Sequence, residues 1–347
     1  MKISNICGNQ PILNTNLSIN APISFSGLKN PTTKCMFVFD LDGSFAHGTK
    51  DELSKIVEIA KQRVANLIYA TGRNKKEVEK LQQKLADKGI TLPTPDYLVC
   101  NNGQFLYENI DGVLVKSTQY ETQLKVKTNF DSKKVLEAMT GLAHSDKYKF
   151  STSELQRLEG LDNYQQIRES DPSFYTSKIS HYKWNASELM SEYFVASEVP
   201  LEKLKTDIQA ELAKIGIKTK FIENRYSKPI MDACNESILF QSHNLRRHSD
   251  GAMTALFLCP ADKADGVKYL KRQSGVSYKE ILMAGNDDND VSMAQLSQKG
   301  AHFICLNNSS DKLKQIYNSL SSFVNTLFMS KNDGAKGILE VLSDIMR

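Results

Sequence analysis

Residues Phe37–Ser44 read FVFDLDGS. An apolar run ends in two aspartates, Asp40 and Asp42, two positions apart, and Gly43 follows. Residues i and i+2 of an extended strand point the same way, so both carboxylates leave the end of a buried strand together. Gly43 lets the backbone turn close to a ligand. One carboxylate of such a pair can attack and the other can move a proton. Read alone, the same letters also describe a strand end capped by acidic turn residues. The rest of the chain decides between the two.

From Cys35 onward, strand and helix patterns alternate. CMFVF (35–39) reads as a buried strand and DELSKIVEIAKQR (51–63) as an amphipathic helix, with Leu53, Ile56, Val57 and Ala60 on one face. ANLIYA (65–70) is the next strand. Asn74 is placed to cap a helix over KKEVEKLQQKLADKG (75–89), which Gly89 ends. DYLVC (96–100) is a third strand, and QFLYENIDGVLVK (104–116) a hairpin turning at Asp111-Gly112. The far end alternates in the same way, with helix 263–275, strand 280–285, helix 289–300, strand 301–306 and helix 310–320. Strands joined by helices imply a parallel sheet covered on both faces.

The pattern changes between about Thr118 and Pro260. Two helical candidates, DSKKVLEAMTGLA (131–143) and LEKLKTDIQAELAKIG (201–216), lie among strand-like runs at KISHYKW, EYFVAS, KTKFIE, SILFQS and TALFLC. The expected fold class is α/β: a three-layer, Rossmann-like parallel-sheet core over residues 35–117 and 256–347, with a separate α+β unit inserted over 118–255. Residues 1–34 hold no Asp or Glu, include Pro11, Pro22 and Pro31, and lack periodicity, so a disordered leader is expected there.

Composition narrows the function classes. At 347 residues, with 40% hydrophobic and 24% charged residues, the chain is an ordinary globular protein with room for one large or two modest domains. A net charge of +4, with no basic stripe among aromatics, argues against a nucleic-acid partner. No apolar run is long enough for a membrane helix. Cys7, Cys35, Cys100, Cys234, Cys259 and Cys305 form no CxxC pair and read as reduced, mostly buried thiols. The leader has neither the apolar core of a secretory signal nor the arginines of a transit peptide, so a cytoplasmic location is expected. His243 and His248 lack a third ligand and read as surface residues. Tyr182 and Trp184 have the shape to stack on a sugar ring, although strand aromatics more often fill a core.

Three further segments carry chemistry. Thr71-Gly72-Arg73 follows the strand ANLIYA, where a hydroxyl, backbone N–H groups and a helix start suit an anion. Lys263, at the start of a helix, can neutralise a phosphate from a fixed position. In GNDDND, Gly285 turns the chain, and Asn286, Asp287, Asp288, Asn289 and Asp290 crowd five oxygen-bearing side chains before a helix. Like charges this close call for a cation, and hard oxygen ligands point to Mg²⁺. Each segment alone also has a plain reading, as a turn, a solvated lysine or an acidic helix cap.

In this order, DLDGS, ATGR, the helix-start lysine and GNDDND resemble the four motifs of the haloacid dehalogenase superfamily of phosphatases, over nearly all of the chain from Cys35 on. The insert lies where Cof-type members carry an α+β cap. LIYATGRNKKEVEKL, TPDYLVCNNGQFLY and the tail NDGAKGILEVL are similar to the sucrose-phosphate phosphatase branch. The resemblance implies that Asp40 is the nucleophile and Asp42 the general acid/base. It implies phosphate binding by Thr71, Gly72, Lys263 and Asn289. It implies Mg²⁺ held among Asp40, Asp42, Asn286, Asp287 and Asp290. The implied partner is a small phosphorylated molecule such as a sugar phosphate. One position departs from the pattern: the family has Asp where this chain has Asn286. Its register after Gly285 makes Asn286 the expected ligand, through a neutral carbonyl oxygen, with Asp287 as the alternative. Two other readings share these motifs: a phosphomutase-type phosphoryl transfer and a catalytically weakened phosphate-binding relative. The motifs do not name the substrate or the oligomeric state.

Overall fold

The structure is a computed structural model that describes residues 35–143, 150–156, 179–183, 189–195, 199–226 and 253–346. The leader, Cys7, Cys234, Trp184, His243, His248 and the SILFQS run lie outside the described residues.

Strand β1 (Cys35–Phe39) is buried at all five residues. Cys35, Phe37 and Phe39 join one apolar cluster, and Met36 and Val38 join a second. A strand covered on both faces needs apolar side chains of both parities, which is why CMFVF does not alternate. Helix α1 (Lys50–Gln62) opens with a capping box between Thr49 and Glu52, and α2 (Lys75–Ala86) with one between Asn74 and Glu77. They flank β2 (Ala65–Ala70) and precede β3 (Tyr97–Cys100). The hairpin of β4 (Phe105–Ile110) and β5 (Val113–Lys116) turns through Asp111 at φ 50° and Gly112 at φ 86°, both in the left-handed region that a two-residue hairpin loop requires.

Then come α3 (Thr118–Thr128), α4 (Ser132–Ala143), β6 (Phe150–Gln156), β7 (Ile179–Lys183), β8 (Ser191–Val195), α5 (Leu201–Lys214), β9 (Lys220–Tyr226) and β10 (Met253–Cys259). The chain ends with α6 (Lys263–Ser274), β11 (Ile281–Gly285), β12 (His302–Cys305), α7 (Asp311–Ser321), β13 (Leu327–Met329) and α8 (Gly334–Met346).

Eight strands form the larger sheet in the order β13-β12-β11-β1-β2-β3-β4-β5, parallel from β13 to β3 and antiparallel at the hairpin. One face packs against α1, α2 and α8 through Leu53, Ile56, Val78, Ile338 and Leu342. The other packs against α3, α6 and α7 through Leu124, Val267, Leu270 and Leu313. Each such side chain contributes about 1.5–3 kcal/mol on full burial. The order reverses at β1, between β2 and β11, and open α/β sheets bind ligands beyond the carboxyl ends of strands at such a switch point.

A smaller sheet runs β6-β7-β8-β10-β9. Its Tyr193, Val195, Leu256 and Leu258 pack against Val135, Met139, Leu204, Ile208 and Leu212 of α4 and α5. Strand β10 pairs with β8 and β9, so a boundary at 256 cuts through a strand of this sheet. Helix α3, placed in the cap by sequence, sends Tyr120 and Leu124 into the larger core, where Tyr120 meets Tyr269 edge-on. The helix expected over 289–300 is three short pieces: a 3₁₀ turn at Asp288–Asp290, one α-turn at Val291–Ala294 and a 3₁₀ turn at Gln295–Lys299. Asp290 turns its carboxylate back onto the amides of Asn286 and Asp287, and such local side-chain bonding competes with regular helix.

Candidate active site

The carboxyl ends of β1, β2 and β11 bring three of the four segments together, and the start of α6 adds the fourth. Asp40 follows β1 directly; its N–H donates to Ala284 O at 3.0 Å, and only 4% of the residue is exposed. The chain then turns sharply, with Phe45 N bonded back to Asp40 O at 3.0 Å. Gly43 permits the turn: its φ is 69°, and a Cβ there would lie 2.5 Å from Asn286 Nδ2.

Lys263, the first residue of α6, is fully buried. Its Nζ donates to Asp290 Oδ1 at 2.7 Å, Asp40 Oδ1 at 2.8 Å and Asn289 Oδ1 at 3.0 Å. Burial works against its charge, but Asp290 and Asp40 outweigh that and hold its pKa above the usual lysine range. Burial pushes the Asp40 carboxyl above the usual carboxylate range; Lys263 opposes this, and Asp290 and Asp42 add to it. Asp290 is fully buried and accepts two amides besides Lys263, from Asn286 at 2.9 Å and Asp287 at 3.0 Å.

A cavity of about 300 Å³ opens above this group. Asp40, Asp42, Gly72, Asp287 and Asn289 line it from the core. Thr71 is buried behind its wall, and its Oγ1 accepts the Arg73 N–H at 3.2 Å. Asn286 is not on the wall: its Oδ1 accepts the Ser44 hydroxyl at 2.7 Å. Asp287 is on the wall, with Oδ1 accepting the Asp288 N–H at 2.8 Å; burial raises its pKa, and Asp290 and Asp42 add to the rise. Asp288 turns away to accept the Ser310 hydroxyl at 2.6 Å.

Several residues of the site carry no role in the sequence reading. Arg73 grips Asp42 with both arms, Nε to Oδ2 at 2.8 Å and Nη2 to Oδ1 at 2.6 Å. It sits in the ATGR motif, so a signal existed, but pairing with Asp42 needs the fold. Asn101 and Asn102, both at positive φ, hold the turn after β3, and Asn102 Oδ1 accepts from Asn289 Nδ2 at 3.1 Å. The smaller sheet contributes Asn224 and Phe257 to the same wall, and Met190, just before β8, joins them. Asn224 Oδ1 is buried with no hydrogen-bond partner among the described residues. Ion pairs tie β9 to the core, Lys220 to Asp262 at 2.6 Å and Glu223 to Lys312 at 3.0 Å.

The donor chemistry fits a hard divalent cation. With all four ionised, Asp40, Asp42, Asp287 and Asp290 outnumber the cations Lys263 and Arg73 by two, and a bound cation would offset the burial that raises the Asp40 and Asp287 pKa values. Among the described residues, no group of three His, Cys, Asp or Glu side chains is placed to hold a metal ion unaided. Mg²⁺ needs no such cage, because it keeps several waters and takes one or two carboxylates together with substrate phosphate.

A family model for haloacid dehalogenase-like hydrolases matches residues 37–326. The chain belongs to the haloacid dehalogenase-like hydrolases. Solved structures share its fold. One is the sucrose-phosphatase of Synechocystis sp. PCC6803 in complex with sucrose and phosphate: TM-score 0.57 and 16% identity, covering 90% of this chain and 97% of that one. Another is the haloacid dehalogenase-like hydrolase YhjK of Bacillus subtilis: TM-score 0.52 and 13% identity, covering 90% and 92%. A search of curated protein sequences finds no match. Among the described residues, no helix of this hydrolase is long and apolar enough to cross a membrane.

Proposed function

We propose that this hydrolase is a Mg²⁺-dependent phosphatase that cleaves the phosphomonoester of a sugar or similar small polyol through an aspartyl phosphate on Asp40. The observation that carries the reading is Asp40 on the cavity floor, 2.8 Å from a fully buried Lys263, with Asp42 on the wall of the same cavity.

An oxygen of Asp40 attacks phosphorus as the bond to the leaving oxygen breaks. Asp42 gives its proton to that oxygen. Asp42 then takes a proton from water, whose oxygen attacks phosphorus and releases Asp40 and inorganic phosphate. Lys263, fully buried behind Asp40 and fixed by three acceptors, sets a positive field at Asp40 and the transferring group without having to reorganise. The Gly72 backbone and Asn289 border the same space and supply donors to phosphate oxygens. Arg73 occupies both oxygens of Asp42, so the clamp opens before Asp42 exchanges a proton with the leaving group. A bound Mg²⁺, held by carboxylates on the wall, would neutralise phosphate charge and orient the group.

A polyol leaving group suits the cap side of the cavity. Phe257 and Met190 offer apolar surface, and the unpartnered Asn224 Oδ1 accepts a hydroxyl. The neighbour crystallised with sucrose and phosphate supports a sugar. Cys35, Cys100, Cys259 and Cys305 are free and buried, which supports a reducing, cytoplasmic setting.

The test is phosphate release from a panel of sugar, polyol, nucleoside and acyl phosphates, with Mg²⁺ and with a chelator. Mg²⁺-dependent release from sugar or polyol phosphates is expected. No release from any of them, or equal release in chelator, overturns the proposal.

A further inference from the structure

We propose that Asp287, and not Asn286, supplies the carboxylate that this chain sets opposite Asp40 around the divalent cation. This rests on the phosphatase reading above and reverses the register expected from the sequence motif.

Asn286 is committed elsewhere. Its only oxygen outside the backbone accepts the Ser44 hydroxyl at 2.7 Å, and its other end is an amide NH₂, a donor that no cation can use. That end packs so closely on Gly43 that a Cβ there would lie 2.5 Å from Nδ2. Asn286 thus braces the turn after Asp40 from below, and its side chain does not reach the cavity wall.

Asp290 is also committed. It is fully buried, absent from the wall, and accepts Lys263 and the amides of Asn286 and Asp287. Asp42 is on the wall, but both its oxygens are held by Arg73.

Asp287 remains. It lines the cavity with Asp40, and its carboxylate accepts the Asp288 amide at 2.8 Å and closes a capping box with the Asp290 amide, which leaves about two of the roughly four lone pairs on its two oxygens. Asp290 holds the Asp287 backbone in place from the core side, so this carboxylate is presented by a fixed turn. Asp40 and Asp287 together meet the one or two carboxylates that a Mg²⁺ site requires when phosphate and water complete the shell. The move of one residue keeps the charge that Asn at 286 removes.

The test is direct cation binding to the full chain, with Mn²⁺ as probe. Mn²⁺ favours the same oxygen ligands and is counted by its electron paramagnetic resonance signal. Titrations are run without and with inorganic phosphate, for wild type, Asp287→Asn and Asn286→Ala. Asn still caps the turn at 287, so Asp287→Asn keeps its local bond, and circular dichroism checks the folds. The expected result is a loss of about tenfold or more in Mn²⁺ affinity for Asp287→Asn and a change under about threefold for Asn286→Ala. The proposal is overturned if Asn286→Ala loses affinity as much as Asp287→Asn, or if Asp287→Asn binds as wild type does. Wild type that binds no Mn²⁺ even with phosphate overturns the Mg²⁺-dependent reading itself, a separate result.

Discussion

Replacing Lys263 by Met removes a buried cation and changes little else, because the two side chains have similar volume. The wild-type ammonium is fully buried and satisfies Asp290, Asp40 and Asn289 at 2.7, 2.8 and 3.0 Å. Without it, two buried carboxylates face each other uncompensated. Removing one partner of a buried pair costs about 3–5 kcal/mol, and here one cation serves two anions, so the upper part of that range is expected. At about 2–4 °C per kcal/mol the melting temperature falls by roughly 6–20 °C. Adding Asp290→Asn to Lys263→Met removes one orphaned charge and recovers part of the loss. The assay is thermal melting by circular dichroism at neutral pH in chelator, where no added cation replaces the lysine. Lys75→Met, which breaks an exposed helical pair with Glu79, is the comparison and costs about 0.3–0.5 kcal/mol. If Lys263→Met melts within about 2 °C of wild type, the claim that Lys263 holds this charge cluster together is wrong.

Asp42→Asn retains a similar shape but loses the proton, so phosphate release slows by about 10²–10⁴-fold while the melting curve stays near wild type; a fold intact with full rate rejects the acid/base role. Asn224→Ala and Phe257→Ala lower kcat/KM for a sugar phosphate by about tenfold each, yet barely affect a small aryl phosphate that does not reach the cap wall; equal losses on both substrates refute a leaving-group role. His302 is buried, which depresses its pKa from 6.5 to about 4, with the Lys279 carbonyl opposing. The unfolded chain therefore binds more protons than the folded one between those values, so stability is full above pH 6.5 and falls toward pH 4 by up to about 3 kcal/mol. His302→Asn flattens that part of the pH–melting profile, and an unchanged profile contradicts the assignment.

The floor of the candidate site was legible because its residues follow apolar strands in sequence. FVFDLDGS, IYATGR and ILMAGNDDND each show a strand followed by a turn that borders the cavity, and the parallel sheet aligns those turns at one edge. Asn74 was readable as a helix cap as well, whereas the Thr49 cap of α1 was not read. What escaped depends on long-range contact. The Arg73 clamp on Asp42 joins two loops thirty-one residues apart, and the Ser44–Asn286 bond spans 242 residues. Helix α3 escaped because Tyr120 and Leu124 are its only buried apolar residues, and Val126 is 80% exposed. Strand β13 has three residues, too few to show a period. Phe257 looked like an ordinary strand residue and Asn224 lay just past the KTKFIE run, until β9 and β10 paired, Asn224 opposite Ala255 and Phe257 opposite Ile222.

The central claim is that Asp40 carries the phosphoryl group. The most direct measurement is rapid acid quenching during turnover of a phosphorylated sugar, followed by borohydride reduction and mass analysis of the peptide spanning Asp40. Reduction of an aspartyl phosphate converts that residue to homoserine. The account predicts homoserine at position 40 in the wild type and none in Asp40→Asn. Turnover with an unmodified Asp40, or with the modification on another carboxylate, would contradict it.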